Sequence, residues 1–250
     1  MTTTPVMQAD NIVKELGSGA GLVVAVKGVS LELVPGELTL LMGPSGSGKT
    51  TLLSILGCIM KPTSGSIRIA DTLIDGLSAE ALAKVRREHL GFIFQSYNLF
   101  PTLNAIENVR IALDVRGVKG FAATSRSEEV LREVGLGHRL TNYPRNLSGG
   151  EQQRVAVARA IASSPSIVLA DEPTAALDSE NGHAVMALLS RIAKEQHRSV
   201  LAVTHDPRTL GYADRVVRIE DGRIVGEERR PEGIDSPEIT DLTKRRKLHA

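Results

Sequence analysis

The chain has 250 residues, 42% of them apolar, which is enough to bury one substantial core with a smaller subdomain leaning on it. Its 30 basic and 29 acidic residues nearly cancel, so global charge gives no argument for wrapping nucleic acid or coating an acidic surface. No apolar run approaches the roughly 20 residues needed to cross a bilayer, and the start "MTTTPVMQADN" lacks the charged-then-apolar pattern of a signal peptide, which predicts a chain that stays in the cytosol.

In chain order, "VVAVKGVSLELVPGELTLLMGP" is rich in Val and Leu, with "PG" marking a turn between two strands. A glycine-rich loop follows, and then "KTTLLSILGCI" carries apolar residues at helical spacing. Cys58 within it is the only cysteine; it excludes an internal disulfide or a metal site of several cysteines, and its apolar neighbours predict a core position. "GSIRIADTLIDG" returns to strand-like alternation with a turn predicted at Asp75-Gly76, and "LGFIFQ" is a further strand. From about residue 96 to 163 the pattern turns helical, with Asn104 and Glu107 spaced as a capping box before "AIENVRIALDVRG". "SIVLADEP" and "SVLAVTH" are short, continuously apolar runs ending in polar groups, separated by the helical "SENGHAVMALLSRIAKEQ". Such runs suit strands buried on both faces of a parallel sheet, with active groups at their carboxyl ends. "DRVVRIEDGRIVGEE" predicts a hairpin turning at Asp221-Gly222. Order is expected to end beyond Glu228, in a flexible, polar tail over 229–250 whose "KRRK" run reads as solvated charge before it reads as a lipid contact.

"GPSGSGKT", comprising Gly43, Pro44, Ser45, Gly46, Ser47, Gly48, Lys49 and Thr50, fits the phosphate-loop pattern. Successive backbone N–H groups form an anion nest at a helix N-terminus, the lysine reaches the outer phosphates and the terminal hydroxyl ligates magnesium. A chance Gly-rich turn would not also follow a strand and open a helix, where Thr51 is the next residue. "IVLADEP" supplies Asp171, to hold Mg2+ through its water shell, and Glu172, to polarise an attacking water. Paired carboxylates after a strand could instead cap the next helix, a reading that loses ground beside the phosphate loop. Together the two motifs predict nucleoside triphosphate hydrolysis by in-line positioning of water and charge neutralisation, without a covalent intermediate.

"LSGGEQQR", residues 147–154, is a second glycine-rich helix start. Ser148 and Glu151 have capping-box spacing, yet capping leaves Gly149 and Gly150 unaccounted for, since each costs about 1 kcal/mol in a helix relative to alanine. Bare N–H groups beside a serine hydroxyl make sense if a second phosphate must approach. This stretch resembles the signature of ATP-binding-cassette (ABC) ATPases, and the other motifs fall in that family's order over about residues 6 to 228.

The resemblance implies an α/β P-loop NTPase core with a mostly parallel sheet, an antiparallel β subdomain and an inserted α-helical subdomain at about 96–163. It also implies ATP and Mg2+ as ligands and a head-to-tail dimer in the ATP-bound state, the signature of one subunit closing on the γ-phosphate held by the other. By motif, Gln95 resembles the glutamine that senses magnesium and the attacking water, His205 the switch histidine at the γ-phosphate, and Ala175 to Asp178 the loop coupling the two sites. The family usually stacks an aromatic residue on adenine where this chain has Leu16, which predicts weaker affinity or looser base selection.

"FQSYNLFPTLNAIENV", "YPRNLSGGEQQRVAVARAI" and "DEPTAALDS" are similar to the MacB, LolD and DevA group of bacterial exporters. That likeness implies an energy-coupling subunit of an export or lipid/lipoprotein extraction system, peripheral at the cytoplasmic face of the inner membrane. Its partners would be a permease with a large extracytoplasmic domain, docking near Gln95 to Leu103, and a periplasmic adaptor. The alternative is a division regulator resembling FtsE, which controls cell-wall hydrolases without transport. A soluble relative acting on DNA or ribosomes is disfavoured, because neither a long coiled coil between the two glycine-rich motifs nor a second cassette is present, and no nucleic-acid partner is expected.

Overall fold

The computed structural model describes residues 4–230. The predicted polar tail, with its "KRRK" run, lies outside the described residues apart from its first two.

Two sheets organise the described residues. The first has four strands in the order β2, β1, β4, β5, where β1 is Met7–Leu16, β2 is Val23–Leu33, β4 is Ser64–Ile69 and β5 is Thr72–Leu73, all pairs antiparallel. The second has six strands in the order β10, β9, β3, β8, β7, β6. Here β3 is Leu38–Met42, β6 is Leu90–Ile93, β7 is Ile167–Asp171, β8 is Ser199–Thr204, β9 is Arg215–Glu220 and β10 is Arg223–Arg229. Only the β9–β10 edge hairpin of this sheet is antiparallel.

The apolar runs of β3, β7 and β8 are continuous because both faces are covered, and the strand period of two divides them between two cores. Leu38, Leu40, Val168, Ala170, Val200 and Ala202 pack on one side with four helices: α3 (Ala105–Asp114), α4 (Gly120–Glu133), α5 (Gly149–Ile161) and α6 (Ser179–Glu195). Leu41, Ile167, Leu169, Leu201 and Val203 face the other side. There they meet α1 (Lys49–Leu56), α2 (Ala79–His89) and the antiparallel sheet. Cys58 is buried in this second core, and burial pushes its thiol up to about 11, so it is an inert core residue.

The structure adds three local features to those expected from sequence. β1 and α2 are two further elements, although Ser78 caps α2 by accepting from Ala81 N and its last turn carries Arg86, Arg87 and His89, signals present in the sequence. The β4–β5 reversal falls at Ala70-Asp71, with Asp75-Gly76 forming a second turn after β5; Ala70 takes the left-handed conformation, φ 49°, that glycine would have advertised. Strand order runs on to Arg229, one residue past the expected end at Glu228.

The predicted capping box at α3 forms in both directions: Glu107 N donates to Asn104 Oδ1 at 3.0 Å and Asn104 N to Glu107 Oε2 at 2.8 Å. One turn on, fully buried Asn108 pins the preceding loop, donating to Phe100 O, Leu103 O and Asn104 O and accepting from Phe100 N at 2.8 Å. Asn108→Ala removes a fully buried amide and strips partners from several partly buried backbone groups at once. It should cost about 3 kcal/mol, lowering Tm by roughly 6–12 °C in a scanning-calorimetry comparison with the wild type.

Candidate functional site

In a parallel sheet the loops that leave the carboxyl ends of the strands share one edge. Register places Met42 beside Thr204, Asp171 beside Val203 and Ile93 beside Ala170. The residues that follow, Gly43, His205, Glu172 and Gln95, therefore line up along that edge in the strand order β3, β8, β7, β6.

The phosphate loop is held from outside by close backbone approaches. A Cβ at Gly43 would sit 2.0 Å from Ile219 O, and one at Gly48 would sit 2.3 Å from Ala25 O with φ at +96°, so neither position admits a side chain. Gly222 N, at the predicted β9–β10 turn, donates to Ser47 O at 3.1 Å and clips the loop to that hairpin. Pro44, Ser45 and Gly46 are exposed at the rim, and α1 then opens with Lys49, Thr50 and Thr51. Lys49 is 7% exposed and folds back over the loop, Nζ donating to Gly43 O at 2.8 Å and Pro44 O at 2.7 Å. Ser47 Oγ is buried without a hydrogen-bond partner. A cationic helix start whose loop keeps an unsatisfied hydroxyl fits an anionic, oxygen-rich ligand.

Thr50 Oγ1 donates to Asp171 Oδ1 at 3.2 Å, bringing together the two groups assigned to the metal from separate parts of the sequence. Burial, reinforced by the neighbouring Glu172 charge, raises the Asp171 carboxyl above the ordinary aspartate range, while Thr50 and Lys49 oppose the rise. A hydroxyl and a desolvated carboxylate beside a phosphate loop are the hard-oxygen donors a magnesium ion takes.

Glu172 adopts φ 46°, a left-handed backbone uncommon for a residue with a side chain, with its N–H bonded to Val203 O at 2.9 Å. That conformation turns the carboxylate towards β8, where Oε1 accepts from His205 Nδ1 at 2.8 Å. Neither carboxylate caps the next helix: Asp178 does, accepting from Asn181 N at 2.9 Å. The capping alternative for Asp171 and Glu172 therefore fails.

The signature region has a capping box as expected. Ser148 Oγ accepts from Glu151 N at 3.2 Å and Ser148 N donates to Glu151 Oε2 at 2.8 Å. The Ser148 N–H bond, chief among several contacts, holds the Glu151 carboxyl below its ordinary range, and Arg139 Nε adds a bond at 2.9 Å. The glycines, however, also have an explanation inside the subunit. A Cβ at Gly150 would lie 2.1 Å from Asn181 Oδ1, and one at Gly149 would lie 3.0 Å from the Tyr97 hydroxyl. They let α5 close onto the start of α6 and onto the segment after β6, a packing role that spacing alone could not reveal. Gln153 of α5, fully buried, donates to Pro173 O at 2.8 Å.

Direct contacts thus join Thr50 to Asp171 and Glu172 to His205, Lys49 bonds within its own loop, and Gln95 stands exposed at the same sheet edge. Ser148 is exposed, and its hydrogen bonds stay within its own helix start. Leu16 lies at the end of β1, opposite Val23, and both side chains are exposed. A groove bounded by Phe92, Phe94, Phe100, Ile111, Arg87 and Arg159 runs beside the segment after β6, where Arg159 donates to Tyr97 O at 2.7 Å and Asn98 O at 2.6 Å. Among the described residues, no helix is long and apolar enough to cross a membrane.

Comparison with known proteins places these features in one family. Residues 26–175 match the family model described as ABC transporter. The macrolide export ATP-binding/permease protein MacB of Escherichia coli K12 is 43% identical over 241 residues, 96% of this chain, and the chain spans 37% of that protein's length. Among solved structures, the dimeric bacterial ABC transporter cassette MJ0796 is 40% identical with a TM-score of 0.82, over 89% of this chain and 98% of that one. A second MJ0796 dimer, in a post-hydrolysis state bound to ADP and Pi, is 39% identical with the same TM-score of 0.82 and the same coverage of the two chains, 89% and 98%. CbiO1 of Clostridium perfringens, part of the cbiONQ transporter complex, is 26% identical with a TM-score of 0.80, over 96% of this chain and 92% of that one. With its phosphate loop, paired carboxylates and second glycine-rich helix start on one α/β scaffold, the chain belongs to the ABC transporter family, as an ATP-binding cassette.

Proposed function

We propose that this chain is the ATP-hydrolysing subunit that energises a membrane export or lipid/lipoprotein extraction complex, working as a head-to-tail dimer closed by ATP. The observation that carries the reading is the convergence of Lys49, the Thr50–Asp171 pair and the Glu172–His205 pair at one sheet edge.

Residues Gly43 to Thr51 bind the phosphates through backbone N–H groups, with Lys49 exchanging its two carbonyl partners for phosphate oxygens. Thr50, Asp171 and Gln95 would hold magnesium, which would supply charge neutralisation on the phosphates. Glu172 orients and polarises the attacking water, and His205 fixes the carboxylate and reaches the γ-phosphate. Ser148, Gly149 and Gly150 serve the partner subunit's nucleotide, and Leu16 contacts the base. The unit that does this spans about residues 6 to 228, with its helical subdomain at about 96–163.

The likeness to MacB supports export over the division-regulator alternative, and supports peripheral placement at the cytoplasmic face of the inner membrane. The apolar groove beside residues 95–103 receives a short cytoplasmic helix of a permease whose large extracytoplasmic domain works with a periplasmic adaptor.

The reading is tested by isolating the Glu172→Gln variant, with ATP and magnesium, from detergent-solubilised membranes of the native host and identifying what co-purifies. A permease with a large external domain supports it; a cell-wall hydrolase regulator or a wholly soluble partner overturns it. Base selection is a separate expectation. With Leu16 in place of a stacking ring, ATP and GTP should bind alike, and Leu16→Tyr should tighten ATP binding by about 1–3 kcal/mol. Strict adenine selectivity in the wild type would count against this role for Leu16.

A further inference from the structure

Gln153 is a buried polar residue that the mechanism above does not use. Its side-chain nitrogen donates to Pro173 O at 2.8 Å, but its Oε1 is buried with no hydrogen-bond partner. A methionine would fill a similar volume without stranding Oε1, so what the glutamine adds at this position is its bond to Pro173 O. Packing alone therefore does not account for a glutamine at this position.

What the amide does hold is the residue immediately after Glu172. The chain around Glu172 is in the left-handed region at φ 46° and is fixed from three sides: by Val203 O before it, by the Ala175 N–H on Glu172 O, and by Gln153 on the next carbonyl. Gln153 belongs to α5, whose cap is Ser148, and the first turn of α5 lies against Leu177 and Asn181 through Gly149 and Gly150. A single rigid helix segment thus sets both the serine and the loop that aims the carboxylate.

We propose that Gln153 is a positioning residue that couples the two ATP sites of the dimer. In a head-to-tail dimer Ser148 of one subunit meets the partner's nucleotide, while Glu172 of the same subunit acts on its own. Closure of the signature helix on one nucleotide then moves Pro173 through Gln153 and brings Glu172 into line at the other. The inference rests on the ATPase dimer proposed above.

The test is Gln153→Met in the full chain, with the wild type measured in parallel. ATP affinity should stay within about twofold, because no phosphate-loop contact changes, while kcat falls about tenfold or more at constant KM. The Hill coefficient for ATP should drop from above 1 towards 1, since two sites that no longer sense each other bind independently. Tm should stay within about 3 °C, which separates positioning from a merely structural role. Gln153→Leu, which removes the donor without burying a charge, should reproduce the kinetic loss and decides the matter if the methionine variant does not fold. Unchanged kcat and Hill coefficient in a folded variant would overturn the inference while leaving the ATPase reading intact. So would losses that merely track a lowered Tm. A wild type without ATP turnover would remove both.

Discussion

Glu172→Gln should bind ATP about as tightly as the wild type, hydrolyse it at least roughly 10²-fold more slowly, and accumulate as a nucleotide-trapped dimer. The substitution keeps the side chain's length and an oxygen that can accept from His205 Nδ1, whose contact with Glu172 is 2.8 Å in the structure. The left-handed backbone at residue 172 is retained, because its N–H bond to Val203 O does not involve the side chain. What disappears is the negative charge that polarises water, so the loss falls on the chemical step and not on binding. A 10²-fold loss corresponds to about 2.7 kcal/mol of transition-state stabilisation. Phosphate release at saturating ATP, with size-exclusion chromatography in ATP against ADP, checks both halves. Turnover within a fewfold of the wild type would transfer the role of base to another group.

Lys49→Ala should lose ATP binding itself, by about 10²-fold or more, because two charge-assisted hydrogen bonds worth roughly 1.5–3 kcal/mol each have no replacement. The 7% exposure of Lys49 means that no neighbouring surface lysine takes its place without rebuilding the loop. Paired with Ser148→Arg, the same variant reads out the shared site. Each homodimer should be inactive. A mixed dimer retains one site built from an intact phosphate loop and an intact signature, so equal mixing should recover up to roughly a quarter of wild-type activity. Ser148 is exposed, and losing its cap costs only about 1 kcal/mol, so the arginine is expected to block approach across the interface without unfolding the subunit. Absence of recovery when heterodimers demonstrably form would remove the shared-site arrangement.

The strongest signals in the sequence were those whose chemistry is local. Gly43 to Thr50 announces a phosphate loop because its spacing encodes a backbone nest and a helix start in eight consecutive residues, and the structure supplies the tight approaches at Gly43 and Gly48 that require glycine. The boxes at Asn104–Glu107 and Ser148–Glu151 were legible for the same reason, each being a three-residue contact. The turn at Asp75-Gly76 forms as the sequence indicates, whereas β1, α2 and the Ala70-Asp71 reversal are not legible in it, the last because Ala70 occupies a left-handed position that its residue type does not advertise.

Distance along the chain set the limit elsewhere. Thr50 and Asp171 are 121 residues apart and Glu172 and His205 are 33 apart, yet each pair is in contact because the parallel sheet aligns the carboxyl ends of β3, β8 and β7. Motif chemistry could nominate these residues, but only strand order and register could make them neighbours. Gly149 and Gly150 go further: the sequence offered capping or a second phosphate, and the fold added Asn181 and Tyr97 as close neighbours. The sequence by itself determined the phosphate loop, the helix caps and the alternation of buried strands, because these depend on nearest neighbours and on burial period. The tertiary structure alone decided which carboxylate meets which hydroxyl and which helix packs on the segment after Glu172, because those contacts are made by sheet register and by packing between distant segments.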